Sequence, residues 1–223
     1  MSLETIEIET APNPTASIII LHGLGADGND FVPIAQELDL ARVGPVRFVL
    51  PSAPTRPVTI NGGYVMPAWY DILGPGRPED AAGLRVSQAL VEALIGAEIA
   101  RGIPASRIVL AGFSQGCAMT FMTGLRFGER LAGLLGMSGY LPLAELTGAE
   151  RSVANAGVPI FQAHGSADEM IPIARATGSR DTLVALGYPV EWHAYPMPHS
   201  VCPQEIADMN RWLLRVLAAP PAR

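Results

Sequence analysis

The chain has 223 residues, 49% hydrophobic and 16% charged, with a net charge of -6, which suits a single compact domain with a large core. No run approaches the roughly 18 uninterrupted apolar residues of a membrane span, and no basic stripe or tail is present to neutralise the phosphates of a nucleic acid. All 15 basic residues are arginines, so Schiff-base lysines, Ser-Lys dyads and the P-loop lysine are excluded.

The first residues, Met1-Ser2-Leu3-Glu4-Thr5-Ile6-Glu7, are acidic where a signal peptide would be basic, so a cytoplasmic location is expected. Ile6 to Glu9 alternates apolar and acidic residues like a short edge strand, and Ala11-Pro12-Asn13-Pro14 breaks it. Ser17 to Leu21 is apolar and β-branched after its first residue, as an interior strand covered on both faces should be. It runs into a glycine-rich loop, His22-Gly23-Leu24-Gly25-Ala26-Asp27-Gly28-Asn29. Asp30 is expected to cap a helix through about Leu38 that buries Phe31, Ile34, Ala35 and Leu38. Val46 to Leu50 is a third strand, closed by Pro51.

Residues 51–78 show no sustained periodicity and many prolines and glycines, and so long a connection more often contributes to a site or a lid than to a linker. Within it, the aromatics of Trp69-Tyr70-Asp71 either seal the loop onto the core or face a substrate. A helix from Pro78 to about Arg101 should follow, burying Leu84, Ala89, Leu90, Ala93, Leu94, Ala97 and Ile99, with Gly102 ending it.

Ile108 to Gly116, reading I-V-L-A-G-F-S-Q-G, is the stretch richest in chemistry. An apolar run enters Gly112-Phe113-Ser114-Gln115-Gly116, a G-x-S-x-G sequence, and small apolar residues from Cys117 to Gly124 follow. Strand, sharp turn and helix would put the Ser114 hydroxyl at an exposed apex, with glycine required on either side because a Cβ there would collide with its neighbours. Beyond it, Leu131 to Met137 reads as a strand, Glu145 to Ala156 as a polar helical piece and Ile160 to His164 as a strand. Ile173 to Leu186 reads as a helix and Val190 to Tyr195 as a strand. Gln204 to Leu217 closes the chain as an amphipathic helix carrying Ile206, Met209, Leu213, Leu214 and Leu217. This alternation predicts a single-domain α/β fold, a mostly parallel sheet flanked by helices on both faces, with sites at the carboxyl ends of its strands.

A serine hydroxyl becomes a nucleophile only when a base takes its proton, usually a histidine steadied by a carboxylate. Of the four histidines, His22 and His164 stand at turns where a structural role suffices, and His193 lies within a predicted strand. His199, in Pro196-Met197-Pro198-His199-Ser200, is free to lean over the end of the sheet and is the expected base. Asp168, in the loop after the strand at Ile160 to His164, is the expected carboxylate, with Asp71 its rival. The chain order Ser114, Asp168, His199 is that of an α/β-hydrolase sheet. A plainer role for Asp168, capping the next helix, is the alternative.

The oxyanion of a tetrahedral intermediate needs preorganised N–H donors. Gln115 offers one immediately after the serine, and Leu24 in the glycine-rich loop is the candidate for the second. A dinucleotide-binding reading of that loop fails, because no G-x-G-x-x-G fits and Asp27 would intrude on phosphate. Cys117 and Cys202 make neither a disulfide scaffold nor a metal-ligand spacing, so free thiols are expected; nucleophilic use of Cys202 beside His199 is a weaker option than Ser114.

Taken together, Leu21-His22-Gly23-Leu24-Gly25, Pro51-Ser52-Ala53-Pro54, Arg56-Pro57-Val58-Thr59, Trp69-Tyr70-Asp71, Gly112 to Gly116, His164-Gly165 with Asp168, and Pro198-His199-Ser200 resemble the bacterial carboxylesterases and acyl-protein thioesterases of the phospholipase/carboxylesterase group. The likeness runs over nearly the whole chain. It implies the α/β-hydrolase fold, with Ser114, Asp168 and His199 as the triad and Leu24 and Gln115 as oxyanion donors. It also implies hydrolysis of small or lipid-like carboxylic esters, or of thioesters on acylated protein, without metal or cofactor, and a possible homodimer. Trp69 and Leu73 are the candidates for the acyl side. Cys117 departs from the pattern, since glycine often occupies that position. A non-catalytic ligand-binding module on the same fold is the reading from another class.

Overall fold

The computed structural model of the protein describes residues 3–218. Seven strands form the main sheet: β1 (Thr5–Glu9), β2 (Ala16–Leu21), β3 (Val46–Pro51), β6 (Ile108–Phe113), β7 (Gly133–Met137), β8 (Ile160–Gly165) and β9 (Val190–Tyr195), in the order β1-β3-β2-β6-β7-β8-β9. Only β1 pairs antiparallel, with β3; the other neighbours are parallel. Strands β2, β3, β6 and β7 are buried almost throughout, which is why they read as unbroken apolar runs. One apolar cluster on each face holds α1 (Val32–Glu37) and α6 (Pro203–Val216) on one side, and α2 (Ala81–Ala100) and α3 (Gln115–Gly124) on the other. Helices α4 (Ala144–Glu150) and α5 (Ile173–Ala185) complete the six α-helices among the described residues.

Three local expectations are corrected. Asp27, in extended conformation, caps the 3-10 turn that leads into α1, its side chain accepting the Asn29 N–H at 2.8 Å, and α1 itself starts after Phe31 with no side-chain cap. Asp30 lies already inside a 3-10 turn, Gly28–Phe31, where no N-cap can sit. Residues 51–78 contain a two-stranded hairpin, β4 (Thr55–Val58) and β5 (Tyr64–Pro67), paired from Thr55↔Pro67 to Val58↔Tyr64. Prolines at two of its eight positions hid it, since proline cannot donate to a ladder and is confined to such edge pairs. In α2 the buried face is Leu84, Ser87, Val91, Ile95 and Glu98, whereas Ala89, Ala93 and Ala97 are exposed. Apolar residues surround this helix on all sides, so hydrophobicity alone does not select a face; two polar residues on the buried side, Ser87 and Glu98, do.

The register positions the site. Leu21 pairs with Gly112, so the glycine-rich loop after β2 leaves the sheet directly beside the Ser114 turn after β6. At the other flank Gly165 pairs with Tyr195, bringing the loops that carry Asp168 and His199 together.

Candidate active site

Ser114 occupies the turn between β6 and α3 with φ 56° and ψ -116°, a left-handed conformation costing a non-glycine residue roughly 1–3 kcal/mol. Its amide donates to Met137 O at 2.9 Å and its carbonyl accepts from Ala118 N at 3.2 Å, so neighbouring strand and helix hold the strain in place. A Cβ on Gly112 would strike the Gly116 backbone, and one on Gly116 would strike the Leu21 carbonyl. Cys117, where the resemblance leads one to expect glycine, is fully buried and fits against Gly136 and Gly139, whose missing side chains leave room for its sulfur. Burial pushes its thiol well above the ordinary range.

Ser114 Oγ lies 2.9 Å from His199 Nε2, and His199 Nδ1 lies 2.6 Å from Asp168 Oδ2. Three side chains from three separate loops thus form one continuous hydrogen-bonded chain. Asp168 is 7% exposed, and its other oxygen accepts the N–H groups of Met170 and Ile171 at 2.9 and 2.8 Å. Those bonds close a turn ahead of α5, whose own N-cap is Pro172, so Asp168 is not the cap of that helix. The rival carboxylate, Asp71, is tied instead to Thr59, accepting from its amide at 2.7 Å and its hydroxyl at 2.5 Å. Burial works against its ionisation, but the Thr59 bonds prevail and hold its carboxyl below the usual range.

The remaining histidines are accounted for by packing. His193 stacks on Phe161 at 5.0 Å and lies nearly parallel to Tyr195 at 6.0 Å, with Nε2 3.0 Å from Glu191. His22 is fully buried; its Nε2 accepts the Ala53 amide at 2.9 Å, so Nδ1 carries the proton and donates to Gly23 O at 2.6 Å. Burial keeps this imidazole below its ordinary pKa despite the Gly23 carbonyl, which fits the neutral tautomer those two bonds require. His22 therefore braces the loop that carries Leu24.

Two further residues support the triad. Phe113, the residue before the serine, packs its ring 4.8 Å from that of His199. His164 is fully buried beneath Asp168, its Nε2 donating to Ile171 O at 2.8 Å and lying 3.3 Å from Asp168 Oδ2. This is the structural role at a turn expected of His164 from the sequence. Gly165 is needed for a different reason, since a Cβ there would strike the carbonyls of Met197 and Pro198 in the loop that presents His199. Of the two residues expected on the acyl side, Leu73 is half-buried, but Trp69 is 0% exposed, with its indole N–H on His22 O at 2.9 Å. Trp69 thus belongs to the framework behind the site; its N–H needs a buried acceptor, and His22 O supplies it.

The chain is similar to known proteins over nearly its whole length. The model of the phospholipase/carboxylesterase family matches residues 3–217. Acyl-protein thioesterase 1 of Yarrowia lipolytica is 39% identical over 206 residues, covering 89% of this chain and 91% of its own. That of Neurospora crassa is 43% identical over 212 residues, covering 89% and 86%. The crystal structure of Zea mays acyl-protein thioesterase 2 superposes with a TM-score of 0.85 at 28% identity, over 96% of this chain and 99% of that one. The chain belongs to the phospholipase/carboxylesterase family of α/β hydrolases and is an esterase-type serine hydrolase.

Proposed function

We propose that the protein hydrolyses carboxylic esters through an acyl-Ser114 intermediate. The observation that carries this reading is the unbroken chain Ser114 Oγ, His199, Asp168, with contacts of 2.9 and 2.6 Å. Ser114 Oγ attacks the ester carbonyl carbon while its proton passes to His199 Nε2, and the Asp168 carboxylate stabilises the imidazolium that forms. The oxyanion is held by the main-chain N–H groups of Leu24 and Gln115. Its collapse expels the alcohol, which takes the proton back from His199 and leaves Ser114 acylated. Water then attacks the acyl carbon, giving its proton to His199, and Ser114 Oγ departs with that proton as the acid is released.

The β4–β5 hairpin adjoins the Leu24 loop through the Gly25 N–H, which donates to Pro67 O at 2.9 Å, and it exposes Ile60, Tyr64 and Val65. With Leu73, these apolar side chains support a lipid-like acyl group. The curated relatives are named acyl-protein thioesterases, which favours a second reading on the same site, thioester hydrolysis on acylated protein. Rates on p-nitrophenyl esters of increasing chain length, an acyl-CoA and an acylated peptide distinguish the two. The apolar layers on both faces share one sheet, which supports a single domain. Two free cysteines support a reducing, cytoplasmic setting.

A fluorophosphonate probe tests the base. His199→Ala should slow labelling of Ser114 and ester turnover by about 10³-fold or more, while His193→Ala should leave turnover within a few-fold of the parent and lower stability. Equal losses of turnover in two folded variants would refute the assignment.

A further inference from the structure

Beside its main-chain N–H, Gln115 carries a side chain that the proposed mechanism does not use. That side chain is 2% exposed and makes two hydrogen bonds to one short segment: Oε1 accepts the Trp69 amide at 2.7 Å, and Nε2 donates to Tyr70 O at 2.8 Å. The segment, residues 67–70, is in turn fastened to the loop of Leu24. The Gly25 amide donates to Pro67 O at 2.9 Å, and the Trp69 indole donates to His22 O at 2.9 Å. Behind it, the Ala68 amide donates to Pro54 O at 3.0 Å, Ser87 Oγ to Trp69 O, and the Tyr70 and Tyr140 hydroxyls meet at 2.6 Å. A continuous path of contacts results, running from Gln115 through its side chain to residues 69–70, through the Trp69 indole to His22, and along the chain to Leu24. The two ends of this path are the two amides assigned to the oxyanion.

We propose that the Gln115 side chain is a positioning residue that sets the separation of the Leu24 and Gln115 amides by clamping residues 67–70 between them. The inference rests on the oxyanion assignment given above and adds a role for the side chain to that of the backbone. A carboxamide suits this task because it presents one acceptor and one donor from a single planar group. An apolar side chain of equal length would orphan the buried Trp69 N–H and Tyr70 C=O. A carboxylate would satisfy the N–H but set a negative oxygen against the Tyr70 carbonyl. A neutral carboxylic acid, in contrast, has both an acceptor and a donor, and would restore both bonds.

The experiment compares the parent with Gln115→Met and Gln115→Glu, using p-nitrophenyl acetate turnover and fluorophosphonate labelling from pH 6 to 8.5. Gln115→Met should lose about 10- to 100-fold in kcat, as expected of donors displaced by a fraction of an ångström to an ångström, with KM changed less than about threefold and the loss equal at every pH. Gln115→Glu should approach the parent at pH 6 and fall away from it as pH rises. His22, Tyr70, Tyr140, Asp71, Asp80, Glu79 and Arg175, the titratable and charged groups around the segment, are common to all three proteins, so the variant-to-parent ratio cancels them. A folded Gln115→Met with parental kcat overturns the clamp; if that variant does not fold, a pH-independent ratio for Gln115→Glu overturns it. A parent that is unlabelled at Ser114 would instead refute the underlying mechanism.

Discussion

Ser114 and Glu205 show how single residues bear the cost of this architecture. The φ of 56° at Ser114 is tolerated because its amide and carbonyl are both bonded, and the same twist turns its hydroxyl toward His199. Glu205, six residues beyond His199 at the start of α6, is fully buried, with neither carboxyl oxygen in a hydrogen bond. Burial pushes its pKa up from an ordinary 4.5 to about 8, the nearby Cys202 backbone offsetting only part of that shift. The groups it influences are the thiol of Cys117 and the phenol of Tyr195, both also raised chiefly by burial. In the unfolded chain the carboxyl loses its proton near its ordinary value, while in the folded chain it keeps it to about pH 8. Unfolding therefore releases a proton between these values, and this contribution to stability, full in acid, falls as pH rises through that window and levels off above it. Urea unfolding at pH 5 and pH 8.5 should show Glu205→Gln gaining on the parent by on the order of a few kcal/mol at the higher pH. Parallel trends in the two proteins would contradict this.

At the scale of elements, helix α2 and its polar contacts explain the misassigned face. Ser87 is drawn inward to donate to the Trp69 carbonyl, and Glu98 to meet Arg47 at 2.9 Å and Arg101 at 3.0 Å. Arg47 is itself 8% exposed, and Glu98 only 2%, so removing Glu98 leaves the buried Arg47 Nη1 without its acceptor, while the other guanidinium nitrogens stay on Glu9. Glu98→Ala should cost about 1.5–3 kcal/mol in chemical denaturation, the range for a lost buried hydrogen bond between charged groups. Glu9→Ala, which removes the exposed partner of Arg47 at the sheet edge, should cost less than about 1 kcal/mol. Equal costs would mean that the buried pair does not orient the helix. The Ser87–Trp69 and Glu98–Arg47 contacts could not be read from helical periodicity, because Trp69 lies in a distant loop and Arg47 on β3.

For the whole molecule, what was legible follows from how parallel sheets are built. Short β-branched runs alternating with helices disclosed the sheet, and sites gather beyond its carboxyl edge, so Ser114, Asp168 and His199 could be selected by asking which loop each occupied. The hairpin from Thr55 to Pro67 was hidden by its prolines, and the roles of Trp69 and the Gln115 side chain depend on contacts that no local pattern encodes. Trp69 in particular has the composition of a substrate wall and the burial of a core residue. The central claim is that a substrate's acyl group passes through Ser114. The most direct measurement is acid-quenched mass spectrometry of the enzyme mixed with excess p-nitrophenyl ester, followed by peptide mapping. One acyl group on Ser114, formed within the first turnover and absent in Ser114→Ala, is the predicted result; steady turnover with the acyl group on another residue, or with parental rates in Ser114→Ala, would contradict it.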